Sequence, residues 1–147
     1  MISTINKFSL EQHKGLYEQW PRQTKLLINE EYTGTQLAGY IIEAQFAVHD
    51  HYLIILSMDC MYEESNTIYL LNSKYTIVAS VNIPEGFSHF PDSYLLDECK
   101  IVGDSEILLQ YNHNLFFKLQ INLNAKIFFS KKLRCSPLKI TNDYRRP

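Results

Sequence analysis

A pattern of three short apolar strands occurs twice in this chain, and it restricts the fold more than any other feature. The first copy runs from His51 to Ile83 and the second from Ser105 to Leu133. In each copy, segments rich in Ile, Leu, Tyr and Phe are separated by short polar segments. Successive strands joined in this way pair with their neighbours, so each copy predicts an antiparallel meander.

Three further strand candidates precede or separate the two copies, at 24–29, 36–48 and 94–102. The total is about nine strands, with turn signals roughly every 8 to 12 residues, a spacing typical of sandwiches and barrels. We therefore expect a mainly β fold in which antiparallel meanders form a β-sandwich or a strongly curved, open, barrel-like sheet. The length suits one buried core, so residues 1–147 are predicted to be a single β-rich domain.

The two ends of the chain differ from the strand-rich middle. Residues 1–21 form a lead-in, in which Ser9 followed by Gln12 fits a helix capping box and predicts a short N-terminal helix. The third strand of the second copy is predicted over 126–133. Residues 141–147 are polar and basic, and we expect them to be a frayed tail.

Several local signals predict how the strands are joined. The segment from Glu30 to Thr35 reads as a turn, with Gly34 providing any positive φ. Gly39, inside a long strand candidate, predicts a bulge or a close approach of two backbones. The continuous apolar run that begins at His51 predicts a strand covered on both faces.

Charge is distributed unevenly along the chain. Residues 1–124 carry seven Lys and Arg against fifteen Asp and Glu, whereas residues 125–147 carry seven against one. The acidic body disfavours general nucleic-acid binding, which needs Lys and Arg on the phosphates. It favours basic partners through long-range attraction, although an ordinary solubilising surface remains an alternative.

Aromatic residues in two strand candidates allow another interpretation. The neighbouring Phe116 and Phe117, and likewise Phe128 and Phe129, would form a stacking face for single-stranded nucleic acid if they were exposed. Adjacent residues in a strand point to opposite faces, so at least one ring of each pair is expected in the core. We therefore predict core positions and no nucleic-acid partner.

The sequence also bears on the compartment. No apolar run approaches the roughly 20 residues of a membrane helix, and the N-terminal segment lacks a secretory signal pattern. Cys60, Cys99 and Cys135 are odd in number and form no CxxC motif, so reduced thiols are expected. These features predict a cytoplasmic protein with no membrane association.

Catalytic motifs are absent from the sequence: there is no P-loop, no GxGxxG and no GxSxG. The best metal candidate is His49-Asp50-His51, because alternate residues of a strand face the same side and both imidazoles would reach one ion. These residues occupy a turn signal, however, and no third ligand cluster accompanies them. We predict no catalytic residue, no cofactor and no metal, so the chain is not expected to be an enzyme.

One long block resembles a known class of proteins. From Lys14 to Val78, the segments KGLYEQWPRQTKLLINEEYTGTQLAGYIIEAQF and HYLIILSMDCMYEESNTIYLLNSKYTIV are similar to small bacterial immunity proteins. Those proteins are encoded beside polymorphic toxins, including toxins of contact-dependent growth inhibition systems. The resemblance implies a cytosolic, non-catalytic protein that binds the C-terminal domain of one toxin, one to one, and covers its active or substrate-binding surface.

The resemblance transfers no binding residue, so the interface must be predicted from this chain. Many nuclease toxins are basic, and we expect acidic side chains of irregular segments to meet the toxin, with exposed aromatic rings as apolar anchors. The candidate residues are Glu30, Glu31, Asp59, Tyr62, Glu63, Glu64, Phe87, Phe90, Asp92, Asp97 and Glu98. Two alternatives stay open: a propeller-like interaction module or adaptor without a toxin partner, and an enzyme that uses the His49–His51 turn.

Overall fold

A computed structural model describes residues 1–58, 65–83, 95–124 and 132–138. Within them, twelve strands pair exclusively with antiparallel neighbours. The strands are β1 (Ile2–Thr4), β2 (Phe8–Leu10), β3 (Thr24–Ile28), β4 (Glu31–Leu37), β5 (Ile41–Val48), β6 (His51–Ser57), β7 (Asn66–Leu71), β8 (Ile77–Ile83), β9 (Leu96–Ile101), β10 (Glu106–Tyr111), β11 (Leu115–Ile121) and β12 (Leu133–Leu138).

The strands form three sheets, in which neighbouring strands are consecutive along the chain except that β1 pairs with β5. The central sheet has the order β1-β5-β6-β7-β8, the N-terminal sheet β2-β3-β4, and the C-terminal sheet β12-β11-β10-β9. The prediction of a mainly β fold built from antiparallel meanders is confirmed. Each sheet has two edge strands in the described part of the chain, so none closes into a barrel.

The sheets stack in three layers because β6 and β7 are apolar on both faces. Leu53 and Ile55 of β6 belong to the core shared with the C-terminal sheet, whereas Ile54 and Leu56 belong to the core shared with the N-terminal sheet. All four side chains are fully buried. Successive side chains of a strand point to opposite faces, so a continuous apolar run requires cover on both sides. The prediction made for this run is confirmed.

A buried hydrogen bond joins the central and C-terminal sheets. Tyr111 of β10 donates its hydroxyl proton to Asn66 Oδ1 of β7 at 2.6 Å, and both residues are buried. The Asn66 amide in turn donates to the backbone oxygens of Leu56 and Ser65. Satisfying these polar groups inside an apolar core favours one relative position of the two sheets.

The predicted short N-terminal helix is wrong. Ser9 lies in β2 between the buried Phe8 and Leu10, so buried and exposed side chains alternate as in a strand. This strand pairs with β3. The only helical element in the described residues is a three-residue 3₁₀ turn, Tyr17–Gln19. Gly15, at φ +87°, has a backbone conformation that no α-helix contains.

The predicted turn at Glu30–Thr35 is also wrong, because β4 begins at Glu31. The chain reverses over two residues, Asn29 and Glu30, whose φ angles are +49° and +69°. Two consecutive positive φ angles are typical of the tight hairpin turn that matches the twist of the strands. Gly34, at φ +90°, lies instead where the β3–β4 register shifts, within a bulge.

The long strand predicted over 36–48 is divided into β4 and β5 at Gly39. A Cβ atom at this glycine would lie 2.6 Å from the Cβ of Leu56, so the backbone at position 39 packs closely against the Leu56 side chain. With β1 and β2 in the lead-in, this division raises the strand number from about nine to twelve.

The last strand differs from its prediction as well. β12 covers Leu133–Leu138, later than the predicted 126–133, most of which lies outside the described residues. Pro137 is tolerated because β12 is an edge strand, where one side of the backbone needs no partner. The predicted frayed tail, 141–147, also lies outside the described residues. No helix of the described chain is long and apolar enough to cross a membrane.

Candidate partner-binding site

Within the described residues, no strand pairs with the outer edge of β5 along its first half. Among the described strands, β1 pairs with β5 only at Phe46–Val48. One further backbone hydrogen bond, from the Ile5 N–H to the Gln45 oxygen at 3.1 Å, continues this contact. Residues Ile41 to Ala44 therefore border two surface grooves, one towards each of the flanking sheets. Open strand edges are common places for partners to bind.

The groove towards the C-terminal sheet is acidic. It has a volume of about 550 Å³ and lies between β5, the segment after β1, and β9. Its charged residues within the described chain are Glu43, Asp97 and Glu98, with no Lys or Arg among its lining residues. We call this surface the acidic groove. Three carboxylates at one concave surface create a negative potential that attracts cationic partners.

Glu43 points into this groove because of a β-bulge. The β5–β6 register shifts between Ile42 and Ala44, so Glu43 is the extra residue of β5. A bulge breaks the alternation of side chains and redirects one of them. The Glu43 carboxylate accepts a hydrogen bond from the Ser57 hydroxyl at 2.6 Å, which holds it beside β6.

Asp97 and Glu98 reach the same groove because β9 is the edge strand of its sheet. Asp97 accepts a hydrogen bond from the backbone N–H of His113, and the Asn112 side chain accepts one from the N–H of Leu95. These bonds connect the beginning of β9 to the β10–β11 turn. The position of the two acids is therefore defined by the C-terminal sheet.

The groove on the other side of β5 is bordered by aromatic rings. His13, Tyr17, Trp20 and Tyr40 contact one another with ring-centroid distances between 5.1 and 5.6 Å. We call these four residues the aromatic cluster. Their arrangement is mostly edge-to-face, which is favourable for ring quadrupoles. This groove is lined by β2, the segment that follows it, Trp20, and the beginning of β5.

The two grooves adjoin at β5. Ile42 and Gln45 line both of them. Gln45 is buried, and its Oε1 accepts hydrogen bonds from the N–H groups of Lys7 and Phe8 at 2.9 and 2.8 Å, while its Nε2 donates to the Phe8 oxygen at 3.1 Å. One glutamine thus attaches the beginning of the N-terminal sheet to the central sheet at the boundary between the two grooves.

Cys99, which also lines the acidic groove, is predicted to react slowly. Burial, followed by the nearby carboxylates of Glu43 and Glu98, raises the pKa of its thiol from 9.0 to about 12. Since the thiolate is the reactive form, we expect alkylation by iodoacetamide at pH 8 to be about a thousandfold slower than for the same residue in urea-unfolded protein. The rate should rise about tenfold per pH unit above pH 9.

Mass spectrometry of the peptide that contains Cys99, after timed and quenched alkylation, measures this rate separately from that of the other thiols. Equal rates at pH 8 in the native and urea-unfolded protein would contradict the assigned environment.

Most of the acids and aromatic residues predicted to bind a partner are not gathered at one described place. Glu30 and Glu31 are exposed at the β3–β4 turn and do not line the acidic groove. Asp97 and Glu98 do line it, together with Glu43, which the sequence analysis did not select. The remaining candidates, Asp59, Tyr62, Glu63, Glu64, Phe87, Phe90 and Asp92, lie outside the described residues.

The aromatic cluster was missed because His13, Tyr17 and Trp20 read as part of a helix, whereas Tyr40, 20 residues after Trp20, reads as part of a strand. His13, Tyr17 and Trp20 are spaced i, i+4 and i+7, the spacing of one face of an α-helix, so their pattern agreed with the predicted helix and did not indicate a surface cluster.

The His49-Asp50-His51 motif occupies a turn, as its favoured interpretation predicted. His49 has φ +55° and is exposed, and His51 is the first residue of β6. His51 Nδ1 lies 2.7 Å from Asp50 Oδ1, and this hydrogen bond lowers the pKa of the Asp50 carboxyl. Within the described residues, no three His, Cys, Asp or Glu side chains are grouped to hold a metal ion.

A polar cleft of about 820 Å³ adjoins this turn, between the central and C-terminal sheets. It is lined by residues of both charges, including Asp104 and Arg134. Phe116 and Phe117 are buried, so these two rings form no stacking face for nucleic acid; Phe128 and Phe129 lie outside the described residues. Lys118 lies 3.3 Å from Glu106 as an ion pair on the same sheet.

Comparison with known proteins produced no match to a family model, to a curated protein or to a solved structure.

Proposed function

We propose that the chain is a non-catalytic, cytoplasmic immunity protein that binds one cognate toxin domain, one to one, and covers its active or substrate-binding surface. The observation that carries the proposal is the acidic groove at the open edge of β5, with the aromatic cluster directly beside it. Carboxylates that line a groove next to partly exposed aromatic rings are suited to a basic protein surface.

A nuclease toxin is the partner class that best fits this charge. Such a toxin carries Lys and Arg to hold phosphates, so its substrate-binding face is positive. An acidic inhibitor surface would occupy that face in place of nucleic acid and would be attracted to it from a distance. The excess of Asp and Glu in residues 1–124 also favours attraction between this chain and a basic toxin.

A second candidate function is a protein-interaction module or adaptor with a partner other than a toxin. The observation that favours it is the strand order of the N-terminal and C-terminal sheets, each a linear meander like the blade of a propeller. An adaptor would use the same surfaces, so the identity of the partner separates the two functions.

The direct test is co-expression with the C-terminal domain encoded by the gene immediately upstream. Under the proposal, that domain stops growth when expressed alone, co-expression restores growth, and the two chains purify as a one-to-one complex. A harmless upstream domain that forms no complex would contradict the immunity function and favour the adaptor.

Charge reversal at the acidic groove tests which surface is used. We expect Asp97→Lys with Glu98→Lys to lower the association rate with the toxin domain at least tenfold at low salt, because steering depends on complementary charge. The exposed His113 N–H, which bonds to Asp97 in the native protein, can bond to water instead. Stopped-flow kinetics at several salt concentrations measure the effect.

The matched control is Glu30→Lys with Glu31→Lys, which makes the same change in net charge at an exposed turn outside the groove. If both double variants slow association equally, the effect comes from net charge, and the groove is not the binding surface.

A further inference from the structure

We infer that the aromatic cluster is the anchor of the partner interface and receives an arginine or lysine side chain of the basic toxin domain. This inference rests on the proposed function, since it names the part of the chain that holds the partner after the acidic groove has attracted it. The occupant follows from two features: aromatic ring faces attract cations, and among the described residues the Asp, Glu, Lys and Arg that line the two grooves are all acidic.

The cluster presents aromatic surface that the described chain does not cover. Tyr17 is 39% exposed, the adjacent Leu16 is 64% exposed, and Ile41 at the beginning of β5 is 40% exposed. Trp20 lies between Tyr17 and Tyr40, with ring centroids 5.1 Å from each. Tryptophan and tyrosine beside exposed aliphatic groups are the residues most often responsible for the binding energy of an interface.

Hydrogen bonds hold the cluster in place before any partner binds. The Tyr40 hydroxyl donates to the Pro21 oxygen at 2.7 Å, and the Trp20 indole donates to the Gly15 oxygen at 3.3 Å. His13 Nε2 lies 2.9 Å from the hydroxyl of the buried Thr24. A pre-organised surface loses little conformational entropy on binding, so more of its contact energy contributes to affinity.

An acidic residue also lies beside the aromatic cluster. Glu11 lines the groove beside the aromatic rings, and its carboxylate accepts a hydrogen bond from the Lys25 N–H at 2.9 Å. Ile42 and Gln45 connect this groove with the one that contains Glu43. Lys14 and Arg22 belong to the same segment but do not line either groove. A cation on the rings would therefore share its groove with the Glu11 carboxylate.

The two surfaces should have separate kinetic effects. The acidic groove acts at a distance and mainly affects the association rate, which is sensitive to salt. Ring contacts act at short range and mainly affect the dissociation rate. We expect Tyr17→Leu, which keeps an apolar side chain but removes the ring, to raise the dissociation rate at least tenfold and to change the association rate less than twofold.

The matched control is Tyr32→Leu, a tyrosine of similar exposure, 46%, on β4, whose ring centroid lies 5.2 Å from Lys25 Nζ and which does not belong to the aromatic cluster. We expect its kinetics to be unchanged. Because neither tyrosine is buried, loss of folding should not obscure the comparison, and a urea unfolding curve of each variant verifies this.

An independent measurement uses Trp20, the only tryptophan of the chain. Incorporation of 5-fluorotryptophan into this chain alone provides a single fluorine resonance at the cluster. Addition of the unlabelled toxin domain encoded by the upstream gene is expected to shift that resonance in proportion to the complex formed.

Each outcome has a definite meaning. A shifted resonance together with faster dissociation of Tyr17→Leu supports the inference. A complex that leaves both the resonance and the Tyr17→Leu kinetics unchanged overturns the inference while the immunity function stands. Absence of any complex overturns both. A resonance that changes with the concentration of this chain alone, accompanied by the mass of a dimer, identifies a second copy as the occupant and overturns the inference.

Discussion

Replacement of Gly39 by alanine is expected to lower the free energy of unfolding by about 3 kcal/mol, as the sum of backbone strain and overpacking. Gly39 has φ +147°, a region that L-residues rarely adopt, and the new Cβ would lie 2.6 Å from the Cβ of Leu56. Leu56 is fully buried, so neither residue can move away without disturbing the core. Urea unfolding followed by circular dichroism measures the loss.

Gly34→Ala is the control for this prediction. Gly34 also has a positive φ, +90°, but no heavy atom lies within 4 Å of the position of its Cβ. We expect a loss of about 1 kcal/mol, because only backbone strain is introduced. If the two variants are equally destabilised, the new Cβ meets no steric resistance from Leu56. The β4–β5 connection would then not pack closely against β6.

The second large effect is expected for Gln45→Leu, which should lower the free energy of unfolding by about 3 kcal/mol, because buried backbone polar groups would lose their partners. Gln45 accepts from the N–H groups of Lys7 and Phe8 and donates to the Phe8 oxygen. Leucine has a similar volume, so the change removes these bonds without leaving a large cavity. The same urea experiment measures the effect.

Gln36→Leu, at an exposed position of β4, is the matched control, and its effect should remain within about 0.5 kcal/mol, as is usual for surface substitutions. A Gln45→Leu protein as stable as this control would mean that Gln45 does not attach the N-terminal sheet to β5. Since Gln45 also lies at the boundary between the two grooves, such a result would mean that its hydrogen bonds do not hold this boundary in place.

Some errors of the sequence analysis share a physical cause. The capping pattern of Ser9 and Gln12 is a local signal, and the pairing of β2 with β3 overrode it because Phe8 and Leu10 become buried together there. The turn expected at Gly34 is not present, also because strand pairing overrode a local signal. Asn29 and Glu30 reverse the chain earlier, and the glycine is used for a bulge in a strand.

Residue types alone predicted part of the candidate site. Asp97 and Glu98 were selected as a pair of adjacent acids, although they lie in the strand candidate at 94–102, and both do line a groove. Glu43 was not selected because it is a single acid in a long strand candidate, and nothing in the alternation of its neighbours predicts that a bulge redirects it. The rings of His13 and Tyr40 meet across 27 positions of the chain, which no local pattern encodes.

The sequence by itself determined the antiparallel, meander-rich architecture and the double cover of β6. These properties depend on side-chain alternation, turn chemistry and backbone freedom, which act over a few neighbouring residues. Only the tertiary structure decided that the three sheets stack with the central sheet in the middle. It also decided that Glu43 lines one groove together with Asp97 and Glu98, and that the four rings of the aromatic cluster lie beside that groove. Those outcomes depend on contacts between distant segments, whose energies appear only once the layers have packed.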